Sequence, residues 1–206
     1  MSIHSTLSVF SKLRQERLQA DIEKLRQTEE NVSREEFQNA VNAILKAKRV
    51  FILGVRSVAP LAGFLGYYLN YMFNNVHVIT GVSQGEMFEK IVSVNPEDVV
   101  IAFSFPRYSS TATKGAQYCR SAGATVIGIT DNRLSPLGSN SDHVLIAKSD
   151  MVSLVDSLVA PLSVVNALIV AIASKKETEL AHTFETLERI WDEYDVYEKQ
   201  VEKHEV

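Results

Sequence analysis

From Val50 onward, short apolar runs alternate with amphipathic helical stretches, and this alternation most restricts the folds open to the chain. Val50–Leu53, Val76–Thr80, Val99–Phe103, Thr125–Thr130 and His143–Ala147 read as five buried strands. Between them lie helical patterns. The first follows Val55-Arg56-Ser57 and runs to about Asn74, with Val58, Leu61, Leu65, Leu69 and Met72 on one face. Ala62, Gly63 and Gly66 leave part of this helix smooth enough for close approach. Ser83-Gln84-Gly85-Glu86 is a capping-box pattern opening a helix to about Val92. Ser109–Ala122 turns Ala112, Ala116, Cys119 and Ala122 inward and stops at Gly123. Ser153–Ala173 is almost wholly apolar, and Glu177 to about Lys203 is amphipathic. Buried strands separated by helices predict an α/β fold with a parallel sheet covered on both faces. The expected form is a doubly wound five-stranded sheet of order 2-1-3-4-5 with N- and C-terminal helical extensions.

The residues before this alternation are polar. Ser5–Gln27 has sparse apolar positions, among them Leu7, Phe10, Leu18, Ile22 and Leu25, the last three spaced for one helical face. One or two exposed helices that lean on something else are expected. Ser33 and Glu36 repeat the capping-box pattern, with Val32 and Phe37 placed as a hydrophobic staple. The division expected is an arm over 1–30, a domain over 31–200 and a tail over 201–206.

Composition removes several function classes. At 206 residues there is room for one domain with a sizeable core. A net charge of −4, with both signs interspersed, gives no nucleic-acid footprint. Cys119 is the one cysteine, which excludes an internal disulfide and suits a reducing compartment. The N-terminus carries no secretory signal pattern. Leu158–Ala173 contains Pro161, Ser163 and Asn166 and is too short and mixed to span a bilayer. A cytoplasmic protein with no membrane contact is expected. The five histidines are scattered, without metal-ligand spacing, so no metal is expected. Gly54-Val55-Arg56 lacks the second glycine of a dinucleotide fingerprint, and no phosphate-binding lysine loop follows a strand. No cofactor is expected.

In the order 2-1-3-4-5 the switch point lies between strands one and three, and ligands bind outside the carboxyl ends there. The two loops are Gly54–Ser57 and Ser104–Ser109. They hold Arg56, Ser57, Ser104, Arg107, Tyr108 and Ser109 at two helix starts. Serine capping alone accounts for part of this. Two arginines and several hydroxyls at two helix N-termini fit an oxyanion better. Asp131 follows strand four as a turn residue or a supporting partner. Asp156 and Ser157 fall early in the apolar stretch, where a carboxylate needs a partner or a cavity.

F-I-L-G-V-R-S, I-A-F-S-F-P-R-Y-S, G-A-T-V-I-G-I-T-D-N-R-L-S-P-L and V-D-S-L-V-A-P-L resemble the sugar isomerase (SIS) domain. The likeness is closest to the sensor domain of RpiR-type transcription regulators and covers roughly Asn31 to Tyr197. It implies phosphosugar binding on the same two loops, and a dimer or larger homo-oligomer. The family pattern S-x-S-G-x-T aligns on Ser104 to Ser109, so that Ser104 and Ser109 match phosphate ligands. Pro106 and Arg107 replace Ser and Gly. After strand one the family reads G-x-G-x-S, and here Arg56 and Val58 replace the second Gly and the Ser. Two hydroxyl ligands are lost and two arginines gained. The ligand set implied is Gly54, Arg56, Ser57, Ser104, Arg107, Tyr108, Ser109 and Ser157. RpiR-type regulators also carry a helix-turn-helix domain, which is not expected in the roughly fifty residues before strand one.

A ligand-sensing or binding module for a phosphorylated sugar or related small anion is therefore expected, without direct nucleic-acid contact. The alternative is a stand-alone aldose–ketose phosphosugar isomerase. That reaction needs a base, for which Glu86, near the second loop, and His182, from a neighbouring subunit's C-terminal helix, are the candidates, and no catalytic residue is assigned. A third reading is a helix-displaying interaction protein with a vestigial pocket.

Overall fold

The computed structural model describes residues 3–149, 151–152 and 155–197. The expected tail over 201–206, the end of the last helix near Lys203 and the expected helix start at Ser153 lie outside the described residues.

Five parallel strands form one sheet: β1 (Arg49–Leu53), β2 (Val76–Ile79), β3 (Asp98–Phe103), β4 (Thr125–Thr130) and β5 (His143–Ile146). Their order is β2-β1-β3-β4-β5, as the sequence predicts. Alternate residues along each strand face opposite layers, which is the pleat at work. Val50, Ile52, Val99, Ile101, Phe103, Ile127 and Ile129 point into one core. There they meet Ala40, Val41 and Ile44 of α2 (Arg34–Lys46), Leu61, Leu65 and Leu69 of α3 (Ala59–Leu69), and Val165, Leu168 and Ile172 of α6 (Val159–Lys175). Phe51, Leu53, Val100, Ala102 and Val126 point into the second core. It is closed by Met87 and Ile91 of α4 (Gln84–Ile91) and by Ala112, Ala116 and Cys119 of α5 (Ser110–Ser121). Burial pushes the Cys119 thiol up to about 12, so it stays a neutral core group.

Close approaches are bought with glycine at particular places. A Cβ on Gly66 would collide with Val78 of β2, and one on Gly54 would come within 2.6 Å of the Ala62 Cβ. Gly63, by contrast, faces open space and plays no part in this packing. Gly123 ends α5 at φ +90°, a conformation that favours glycine.

Two helix boundaries differ from expectation. α3 ends at Leu69 rather than near Asn74: beyond Asn70, whose backbone N–H and Nδ2 both donate to the Gly66 carbonyl, the Tyr71 and Met72 N–H groups turn to carbonyls three residues back. The Asn70 side chain thus competes with the backbone for the Gly66 carbonyl. α6 begins at Val159, well after Ser153. Ahead of it, β6 (Met151–Val152) and β7 (Val155–Asp156) pair antiparallel. Pro161 then falls in the first turn, where a missing N–H costs nothing.

The N-terminal arm is a single helix, α1 (Ile3–Asn31). Its packing is inverted relative to its sequence. Leu18 and Ile22 of the apolar stripe are 59% and 42% exposed, whereas Lys24 and Thr28 are buried. Thr28 Oγ1 accepts the Lys148 backbone N–H at 2.8 Å, and Asp21 Oδ1 accepts the Ser157 hydroxyl at 2.6 Å. An apolar groove of about 550 Å³ lies between α1, α2 and α6, lined by Ile22, Leu25, Val32, Phe37, Val164 and Ala167. Ser33 caps α2, but Glu36 does not complete the box. Its carboxylate instead takes Arg133 Nη2 at 2.7 Å, His143 Nδ1 at 3.2 Å and the Val144 N–H at 3.3 Å, tying α2 to β5. The last helix, α7 (Glu177–Glu193), bends 96° from α6 and touches the turn after α3 through Phe184 and Tyr71, ring centroids 5.4 Å apart. No single helix among the described residues is long and apolar enough to cross a membrane.

Candidate functional site

A cavity of about 530 Å³ opens at the carboxyl ends of β1 and β3. Its walls are the loop after β1, the loop after β3 and the strand end at Asp156. Arg56, Ser57, Ser104, Arg107, Tyr108, Ser109 and Asp156 supply the polar lining, and Val55, Phe103, Phe105 and Leu158 the apolar part. Six of the eight expected residues are thus brought together. Gly54 and Ser157 are not in the lining.

Each polar group has a local reason for its position. The Ser109 Oγ caps α5, accepting the Ala112 N–H at 3.4 Å. The Ser104 Oγ accepts the Ser109 N–H at 3.2 Å. Both hydroxyls use lone pairs inward and keep their single O–H donor for another acceptor. Tyr108 is different. Its hydroxyl lies 3.1 Å from both oxygens of Asp131, so its donor is spent within the protein. Burial, followed by this contact with the carboxylate, pushes the Tyr108 hydroxyl up, and it remains a donor at neutral pH. Asp131 therefore acts as a supporting partner that fixes Tyr108.

Arg107 is exposed on the loop that Pro106 stiffens, and Arg56 is exposed on the 3₁₀ turn before α3. Among the described residues neither has an ion-pair partner. Asp131, a plausible mate for Arg107, is taken by Tyr108. Arg56 holds φ at +61°, in the left-handed region. A side chain there costs about 1–2 kcal/mol relative to the right-handed conformation. The position is the one that carries the second glycine in the related pattern, which explains the backbone without explaining the arginine.

Ser57 donates to Asp156 Oδ2 at 3.0 Å. The other carboxylate oxygen, Oδ1, is buried and has no hydrogen-bond partner among the described residues. Asp156 thus has both the partner and the cavity that its place in an apolar run called for. It was not legible as a lining residue because the run reads as helix, and only the β6–β7 pair turns it to the cavity. Ser157, its neighbour, faces away and is bonded to Asp21. Gly54 serves backbone packing against Ala62 and Val58.

The candidate bases lie elsewhere. Glu86 closes a full capping box with Ser83, and that pairing holds its carboxyl below the usual range. His182 is 85% exposed on α7. His77 stacks on Phe51 on the edge strand. No group of three His, Cys, Asp or Glu among the described residues is placed to hold a metal.

The sheet order and a crevice at its switch point define a doubly wound α/β domain of the flavodoxin-like order. A family model, the SIS domain, matches residues 43–171, and the chain belongs to that family. The fold is also that of the sugar isomerase domain of an RpiR transcription factor from Sphaerobacter thermophilus. The two are 29% identical with a TM-score of 0.78, covering 84% of this chain and 96% of that one. The NanR protein of Vibrio vulnificus, solved in complex with ManNAc-6P, shares the fold at 18% identity and a TM-score of 0.75, covering 91% and 72%. An uncharacterised HTH-type transcriptional regulator of Caldanaerobacter subterraneus subsp. tengcongensis is 24% identical over 162 residues, 76% of this chain. The chain spans about half the length of the curated relatives it matches, 56% and 55%.

Proposed function

We propose that the chain is a phosphosugar-binding SIS module that senses its ligand. One observation carries the reading: the cavity at the switch point gathers two unpaired arginines, two donor hydroxyls and the start of α5. Guanidinium groups and a helix N-terminus favour an oxyanion. The ligands proposed are Arg56, Ser57, Ser104, Arg107 and Ser109, with Tyr108 shaping the wall. NanR, of the same fold, is solved with a phosphorylated sugar, which supports that ligand class.

Sensing rather than turnover is supported by the residues that do not reach the cavity. Glu86 is not in that lining and is held in a capping box, and His182 of the same chain is exposed on α7. The segment after Asp156 is instead wired to α1 through Ser157 and Asp21, giving a path from ligand to arm. A homo-oligomer is part of the proposal, since an apolar groove that includes Ile22 runs between α1, α2 and α6, and Leu18, one turn before Ile22, is exposed beside it. A location in a reducing compartment such as the cytoplasm, with no direct contact to DNA, suits the buried thiol and the charge of −4. The division proposed is an arm to residue 30 and the SIS domain from 31.

One observation favours an isomerase: Asp156 places a carboxylate in the cavity, where a base would stand. Thermal-shift screening against phosphosugars, with isomerase assays on every hit, separates the two readings. A ligand of the folded state raises the melting temperature. Stabilisation without turnover is expected, and turnover of a stabilising sugar would replace the sensor by an enzyme.

A further inference from the structure

We infer that Asp156 is the specificity-determining residue of the cavity. It reads an O–H or N–H donor on the body of a ligand whose anion is held by the arginines. This rests on the anion-site reading and names what that reading leaves open, namely how a sugar phosphate is told from a bare anion.

The inference begins with the asymmetry of the carboxylate. Asp156 Oδ2 is satisfied by the Ser57 hydroxyl at 3.0 Å. Oδ1 is buried, and no group among the described residues donates to it. A buried carboxylate oxygen without a donor is costly, and one new bond to a charged group recovers much of that cost. Arg56 and Arg107 line the same cavity, yet neither is paired with Asp156 among the described residues. Positive and negative groups therefore stand apart in one space. A simple anion is attracted by the arginines and repelled by Asp156. A ligand that carries its own donors turns that repulsion into a hydrogen bond.

A metal ion does not fit this oxygen. Calcium takes six to eight oxygens and magnesium demands octahedral geometry. Among the described residues Asp156 is the one carboxylate in the cavity lining, and half of it is occupied by Ser57. The donor belongs to the ligand. A hydroxyl and an ammonium group share the chemistry required. Selection works by penalty as well as gain: a ligand lacking the donor leaves Oδ1 unpaired beside a negative charge. Ser57 is then a positioning residue, because it pins Oδ2 and so fixes where Oδ1 faces.

The test titrates inorganic phosphate, and a panel of hexose, hexosamine and N-acetylhexosamine 6-phosphates, into the full chain and Asp156→Asn. The parent is expected to bind at least one panel member ten times more tightly than inorganic phosphate. Asp156→Asn should weaken that member about tenfold and tighten inorganic phosphate, so that the preference collapses. If the hexosamine phosphate is the member that loses most, the donor is the amine; if the hexose phosphate, the donor is a hydroxyl. A parent that binds phosphate as tightly as every sugar phosphate overturns the inference and leaves the anion site standing. The same holds if Asp156→Asn weakens phosphate and sugar phosphate alike. A parent that binds neither overturns the anion site, and this inference with it. A parent without that preference overturns the inference even where Asp156→Asn does not fold, and Ser57→Ala, which frees Oδ2, then serves as the second variant expected to lower the preference.

Discussion

The Ser157 hydroxyl donates to Asp21 Oδ1 at 2.6 Å across 136 positions of sequence, joining the cavity wall to the N-terminal helix. Asp21 also receives Arg17 Nη2 at 3.3 Å. Ser157 is 2% exposed, so the bond is shielded from water. Hydrogen bonds to charged groups contribute about 1.5–3 kcal/mol when one partner is removed. Ser157→Ala should destabilise the fold by that amount in urea denaturation, and should free α1 to exchange its amide protons faster. Unchanged stability and exchange would mean that the arm is held by its other contacts and takes no signal from the cavity.

Arg56 stands where backbone conformation asks for glycine, at φ +61°. Arg56→Gly relieves about 1–2 kcal/mol of left-handed strain and adds about 0.5–1 kcal/mol of unfolded-state freedom. Stability should change by less than about 1 kcal/mol. Anion affinity should fall roughly tenfold, as loss of a charge-assisted bond requires. A variant that binds phosphate esters like the parent would show that Arg56 faces solvent in the complex.

Asp98 and Glu36 set the acid limit of stability. Burial raises the Asp98 carboxyl, but the Arg49 fork, with bonds of 2.9 and 2.6 Å, and the Asn95 N–H outweigh it and hold it below 3.8. Burial likewise raises Glu36, and Arg133, His143 and the Val144 N–H bring it below 4.5. Both groups are ionised in the fold at pH values where the unfolded chain already takes up protons. Their contribution is therefore complete above the unfolded values and is lost as pH falls toward the folded ones. The urea midpoint should decline below about pH 5. Asp98→Asn should lower it at pH 7 and flatten the acid decline. Parallel curves for parent and variant would remove Asp98 from this role.

The proposed self-association rests on the groove between α1, α2 and α6. Light scattering at micromolar concentration should give a mass above 23.0 kDa. Leu18→Glu combined with Ile22→Glu should return the mass to that of one chain with little loss of fold, because both positions are already solvent-facing. A parent of single-chain mass would refute the oligomer.

The sheet was legible because β-branched runs of four to six residues, punctuated by Gly54, Ser104 and Asp131, admit few alternatives. The two site loops followed from the strand order, and six residues on them line one cavity. Ser157 was misplaced for a local reason. Val152 to Leu158 reads equally as helix or strand, and a shift between them turns every side chain to another face. Pro161 was the available signal, since a proline marks the first turn of a helix rather than its middle. The arm misled in the opposite way. Leu18 and Ile22 had the spacing of a buried face, yet α1 docks through Asp21 and Thr28, a contact that no hydrophobic periodicity records.

Arg107 carries the most direct test of the anion site. It lines the cavity, lies exposed on its loop and lacks an ion-pair partner among the described residues. Calorimetric titration of a phosphosugar found by screening, into the parent and Arg107→Ala, measures its contribution. Removing a bidentate arginine–oxyanion contact costs about 1.5–3 kcal/mol, a roughly ten- to hundredfold loss of affinity. Arg107→Ala should show that loss and melt at the parent's temperature without ligand. Equal affinity in the two proteins would contradict the anion-site assignment.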